Sequence, residues 1–217
     1  AGLSACAIVL LEVPPNGSAF YARACLGGLF VAALLVAYPE LSPFLALAFF
    51  VFAAIALYRR ELEWRHAALY LALIALLVLL FTNTSLIGAP RELLEASASD
   101  TRNAIVNALF PSYLMPLGFA IGWGLVPYGT GDVASAAAQV YTIAGAGLYV
   151  SALVVACRMA WRLEAAGIMA ATMLLLFFYL FASQNGFGLF KLAMYAQPFV
   201  LATLAIAIST LLPAPKV

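Results

Sequence analysis

The stretch "SQNGFGLFKLAMYAQPF", Ser183 to Phe199, sets one ammonium in an otherwise apolar run. If "LFKLAMYA" is helical, Lys191 and Tyr195 lie four residues apart on one face, an ammonium beside a phenol, with Gln197 following before Pro198. At lipid head-group depth a lysine is a compact point charge suited to a phosphate or diphosphate. The same side chain could simply snorkel and anchor a helix end. Idle lysines are disfavoured on the outer side of a membrane, which weighs toward a bound anion. Gly186 and Gly188 are expected to loosen the approach, and Pro198 to mark the entry to the last helix.

The second candidate is "VAYPELSPF", where Tyr38, Pro39 and Glu40 end one helix and Pro43 begins the next. The turn is tight, so the Glu40 carboxylate is expected at a membrane rim, either solvated or orienting a substrate. If catalysis occurs, a carboxylate is the expected base, with Glu40 first and Glu92, Glu95, Asp100 and Asp132 as further acids on the same face. No Ser-His-Asp order and no phosphate-binding glycine loop stands in the sequence. The single histidine, His66, cannot build a haem or metal centre from this chain alone, so no cofactor is expected. Cys6, Cys25 and Cys157 lack CxxC spacing and read as small apolar residues.

The elements that must carry these groups are spanning helices. Of 217 residues, 66% are hydrophobic and 9% charged, with mean hydropathy +1.08, against roughly a quarter charged in soluble domains. The fold class is therefore all-α, a polytopic integral membrane helix bundle. A net charge of +1 gives no basic surface for nucleic acid. Spans are predicted at about 21–38, 43–58, 67–82, 133–157, 166–182 and 196–212, six in all. Their interiors hold no Asp, Glu, Lys or Arg, which weighs against an ion-coupled transporter. The opening run "AGLSACAIVLLEVPP" is too short to cross alone. It fits either a processed N-terminus or a longer polytopic chain entered partway through a helix, and its cut appearance favours the second.

Basic residues set the orientation. Arg59, Arg60 and Arg65 in "YRRELEWRH", Arg158 and Arg162 in "CRMAWRLE", Arg23 and Lys216 fall on one side, predicted cytoplasmic. Arg91, Arg102 and Lys191 remain for the outer side. Residues 83–132 form the one large non-spanning region, an amphipathic helix followed by "AIVNALFPSYLMPLGFAIGWGLVPYGTGD". Pro111, Pro116 and several glycines interrupt this stretch, and it is expected to be a re-entrant or interfacial hairpin. A crossing there would split the basic residues evenly and erase the asymmetry. Gly145, Gly147 and Ser151, like "CLGGLF" in the first span, read as packing faces.

The segments "AYPE" and "GFGLFKLAMYAQPF", with "FPSYLMPLGFAIGWGL" between them, resemble the membrane region of bacterial GT-C-type glycosyltransferases and related polytopic glycan-assembly proteins. The resemblance covers three short stretches. It implies a single membrane domain in the bacterial cytoplasmic membrane, transferring sugar from a polyprenyl-phosphate carrier at the outer face. Lys191 would meet the carrier phosphate with Tyr195 and Gln197 beside it. In that family the catalytic acid lies in an acidic motif of the first extracytoplasmic loop. Here the corresponding loop holds Glu40 alone, so the acid is either Glu40 or outside this segment. The other reading is a non-enzymatic membrane subunit: a transporter or flippase half, or a structural subunit meeting membrane lipids and partner subunits.

Overall fold

The computed structural model describes residues 7–12, 18–82, 114–127 and 136–211, and in these every regular element is helical. The elements are α1 (Ser18–Ala37), a 3-10 turn (Pro39–Leu41), α2 (Ser42–Tyr58), α3 (Trp64–Thr82), the short α4 (Gly118–Gly122), α5 (Ala136–Trp161), α6 (Ala165–Ala182) and α7 (Gly186–Leu211). Five of them, α1, α3, α5, α6 and α7, are long and apolar enough to cross a bilayer. At 17 residues α2 is at the short end of that range. Large apolar side chains point outward within the helices, among them Phe50 (69% exposed), Leu76 (53%) and Ile143 (72%). In water such a surface would aggregate, whereas against lipid tails it costs nothing. The chain is an integral membrane helix bundle.

Two groups of helices share one core. In the first, α1 packs along α3, and the helical turn at 7–10 closes on both. Gly28 permits the close approach, since a Cβ there would stand 2.8 Å from the Leu77 side chain. The buried Tyr70 hydroxyl donates to the Val9 carbonyl at 3.2 Å. In the second group α6 is central, packed on α5, α7 and α2, and 50% of it is buried against 22% of the apolar stretches of α3, α5 and α7.

The connections are tight for an identifiable reason. Helices α2, α5 and α6 each end with a left-handed residue, Arg60 (φ 57°), Leu163 (φ 61°) and Gln184 (φ 58°). In each, the following amide reaches back to a carbonyl five residues earlier: Glu61 to Ala56, Glu164 to Met159, Asn185 to Leu180, at 3.0 to 3.1 Å. These are Schellman closures, which stop a helix within two residues and reverse the chain. Gly124 (φ 68°) ends α4 in the same way.

The basic loops meet at one end. Arg59 donates to the Trp161 carbonyl, the Tyr58 and Trp161 rings lie 5.8 Å apart, and Arg59 also pairs with Glu61 at 2.6 Å. Arg23 pairs with Glu12, and the rings of Phe20 and His66 lie 6.3 Å apart, so the start of α1 belongs to this end too. Arg91, Arg102 and Lys216, the acids Glu92, Glu95, Asp100 and Asp132, and the amphipathic helix expected after Pro90 lie outside the described residues.

Two expectations need correction. The last helix begins ten residues before Ala196, so Gly186 and Gly188 form its first turn and Pro198 lies inside it. Asn185 is the reason: its side-chain oxygen accepts from the Gly188 amide at 2.8 Å and supplies an N-cap. A spanning segment, Gly186–Thr210, therefore does hold a charge, Lys191. Of Gly145, Gly147 and Ser151 on α5, Gly145 is at an interface, whereas Gly147 and Ser151 are exposed, with open space around Gly147.

Candidate functional site

Lys191 sits about one and a half turns into α7, at the end of the bundle away from the arginines. Its side chain is half-buried, and its ammonium lies 4.6 Å from the centre of the Phe187 ring, four residues earlier. A cation over an aromatic face is attracted by the ring quadrupole. Tyr195 is half-buried one turn further along and packs against the core. The helix thus pairs Lys191 and Tyr195 as their spacing predicts, with Phe187 completing a row at four-residue intervals.

Gln197 is not part of that row. It is exposed and lines a cleft of about 370 Å3 between the α4 segment, α5, α6 and α7. At 100° per residue, the cleft-lining Ala193, Gln197 and Val200 lie roughly 120° to 180° around the helix from Lys191. Glu40 lies in the 3-10 turn at the same end of the bundle as Lys191. That turn packs on α1 and α2, whereas the main neighbours of α7 are α5 and α6. The four candidate residues therefore stand at three places: Lys191 with Tyr195, Gln197 in the cleft, and Glu40 at the α1–α2 turn.

The cleft is built on aromatic rings. Tyr149 of α5 stacks on Phe177 of α6 at 4.6 Å and 16°, Trp123 leans on Tyr149 at 5.2 Å, and Phe119 meets Phe181 at 5.2 Å. Each such pair contributes about 0.5–1.5 kcal/mol beyond its buried area. Two glycines allow the α4 segment to sit this close. A Cβ on Gly145 would lie 2.6 Å from the Phe119 carbonyl oxygen and 2.7 Å from the Ala120 nitrogen, and one on Gly122 would overlap the Tyr149 hydroxyl. Pro198 removes the amide that would serve the Met194 carbonyl, leaving a polar backbone atom on a lining residue without its helical donor.

The cleft's polar groups are few and particular. Trp123 lines it, and its indole N–H is buried without a hydrogen-bond partner. Met194 (47% exposed) and Leu201 (61%) are exposed apolar lining residues of α7. Sequence reading misses Trp123 because an isolated tryptophan beside Gly122 and Gly124 looks like any interfacial aromatic; only the fold sets it against Tyr149. Compared with protein families, with curated proteins and with solved structures, the chain has no match.

Proposed function

We propose that this chain is the membrane-embedded part of a glycosyltransferase or surface-glycan assembly protein, engaging a polyprenyl-phosphate-linked sugar at the outer face of the cytoplasmic membrane. The observation that carries the reading is Lys191. It is a half-buried ammonium, braced by Phe187, with Tyr195 on its own face and at the end opposite the arginine-rich loops. In this reading Lys191 neutralises the carrier phosphate as it departs with the lipid, and Tyr195 orients it by hydrogen bonding.

Charge-assisted hydrogen bonds are worth about 1.5–3 kcal/mol. Lys191→Gln should therefore weaken polyprenyl-phosphate binding roughly ten- to hundredfold, while binding of uncharged polyprenol stays within about twofold. Lys191→Arg should retain most of the affinity. Equal binding of the phosphate by the wild type and Lys191→Gln would remove the assignment.

A second reading, a non-enzymatic membrane subunit, is favoured by the position of Glu40, whose turn packs on α1 and α2 rather than on α7. Glu40→Gln separates the two readings. Loss of sugar transfer from the lipid donor with binding intact identifies Glu40 as the base. Unchanged transfer places the acid elsewhere or leaves this chain a lipid-binding role alone.

A further inference from the structure

The arginine end of the bundle carries a cavity of about 240 Å3 that has no part in the Lys191 reading and stands independently of it. It lies between the last turns of α5, the start of α6 and the last turns of α7. Its polar lining is Arg158 and Arg162 of α5, Glu164 just before α6, and Thr210 of α7. Its apolar lining includes Val155 and the buried Met159 of α5, with Ile206 and Ala207 of α7. Val155 stands three residues deeper in its span than Arg158, and Ile206 and Ala207 stand four and three residues deeper than Thr210. Along both helices the lining therefore passes from apolar within the span to polar at its end. An amphiphile in a bilayer has the same order, chain inside and head group at the surface.

The charges on the lining are of both signs. Arg158 and Arg162 are four residues apart and share a face of α5, so two guanidiniums can meet one phosphate diester. Both are exposed, and among the described residues neither side chain has a hydrogen bond or ion pair. Two guanidiniums alone would suit any anion, and Glu164 makes the cavity selective. Glu164 is half-buried, its side chain caps no amide of α6, and it pairs with neither arginine. Its carboxylate is therefore left for a cation. Thr210 donates its hydroxyl proton to the Ala207 carbonyl at 2.7 Å, so its oxygen is left to accept. The lining thus matches a phosphate and a hydrogen-bond-donating cation carried on one molecule with apolar chains. We propose that this cavity binds a lipid of the phosphatidylethanolamine type. Its phosphate lies on Arg158 and Arg162, its ammonium donates to Glu164 and Thr210, and an acyl chain runs along Val155, Met159 and Ile206.

The full chain, purified in mild detergent, is titrated with dioleoyl phosphatidylethanolamine, phosphatidylcholine and phosphatidylglycerol, and bound lipids are counted by native mass spectrometry. The lipids share the phosphate. The choline lipid carries a cation without N–H donors, and the glycerol lipid carries no cation. The first ethanolamine lipid should bind roughly threefold more tightly than either, the ratio that one partly exposed ion pair gives. Glu164→Gln should bring it level with phosphatidylcholine. Arg158→Gln with Arg162→Gln should weaken all the lipids by a similar factor, because the phosphate is common to them. Ala207→Phe, which fills the apolar part, should also weaken them all, and Lys191→Gln should leave the order of preference unchanged. Circular dichroism checks the fold of each variant, and Glu164→Ala serves if Glu164→Gln loses helix.

Tighter binding of phosphatidylglycerol than of the ethanolamine lipid would mean that the cavity reads net positive charge alone, and it would overturn the ammonium contact. Equal binding of the ethanolamine and choline lipids, or a preference that survives Glu164→Gln, overturns it as well. Binding unchanged by the double arginine replacement or by Ala207→Phe overturns the cavity as the site. A preference lost in Lys191→Gln places the lipid at the opposite end of the bundle and overturns the site in the same way.

Discussion

Gly145 and Gly147 stand two residues apart on α5 and have opposite consequences. A methyl group at 145 would press on the backbone of Phe119 and Ala120, which cannot rotate away, whereas one at 147 meets nothing within 4 Å. Gly145→Ala should therefore cost about 1–3 kcal/mol as overpacking, and it should displace Trp123 from Tyr149. Gly147→Ala should be neutral or stabilising by up to about 1 kcal/mol, because alanine is the better helix former. Unfolding in detergent followed by circular dichroism, with Trp123 emission in the Trp64→Phe/Trp161→Phe background, would check both. Similar losses for the two variants would mean that α4 does not rest on Gly145. The sequence pattern of small residues could not separate the two, since it gives a face only once the partner helix is known. For Lys191 and Tyr195 the sequence sufficed, because a four-residue spacing places both on one face of any helix. Gln197 was grouped with them by proximity in sequence, and two further residues carry it around to the cleft.

At the scale of elements, the helix ends carry the clearest energetic statement. Arg60, Leu163 and Gln184 hold left-handed conformations that cost non-glycine residues roughly 1–2 kcal/mol each. Glycine would relieve that cost but lose about 0.5–1 kcal/mol through its freer unfolded chain. Gln184→Gly should therefore raise stability by at most about 1 kcal/mol, and Gly124→Ala should lower it by a similar amount. At the start of α7, Asn185→Ala should cost about 1 kcal/mol, and Asn185→Asp should keep most of it, because either side-chain oxygen can accept from the Gly188 amide. Faster hydrogen exchange at Gly188 in the alanine variant would localise the loss, and unchanged exchange would refute the cap. These closures explain both what the sequence revealed of the elements and what it concealed. Long apolar runs read directly as helices, since lipid leaves the backbone no other partner than itself. The start of α7 did not, because two early glycines and an internal proline resemble a loop and a helix entry, and one asparagine cap outweighs that local signal.

Across the whole molecule, the separation of charge between the two ends is the property on which the outer-face reading rests. Arg59, Arg60, Arg65, Arg158 and Arg162 cluster at the turns between α2 and α3 and between α5 and α6, joined by the Arg59 contact to Trp161. The turn between α6 and α7, near Lys191, lies at the other end. Basic residues are retained on the cytoplasmic side during insertion, and the loop charges alone predict that orientation. The cleft was not legible there, since it is assembled from ordinary apolar residues on four separate segments that only tertiary packing brings together. The orientation can be tested directly with a chain in which Cys6, Cys25 and Cys157 are replaced by alanine. Glu63→Cys and Ser183→Cys then place a thiol at opposite ends, both at exposed positions. A membrane-impermeant maleimide applied to intact cells should label Ser183→Cys, and Glu63→Cys should be labelled only after permeabilisation. The reverse pattern would put Lys191 on the cytoplasmic side, where an outer-face polyprenyl-phosphate donor could not reach it, and the glycan-assembly reading would fall.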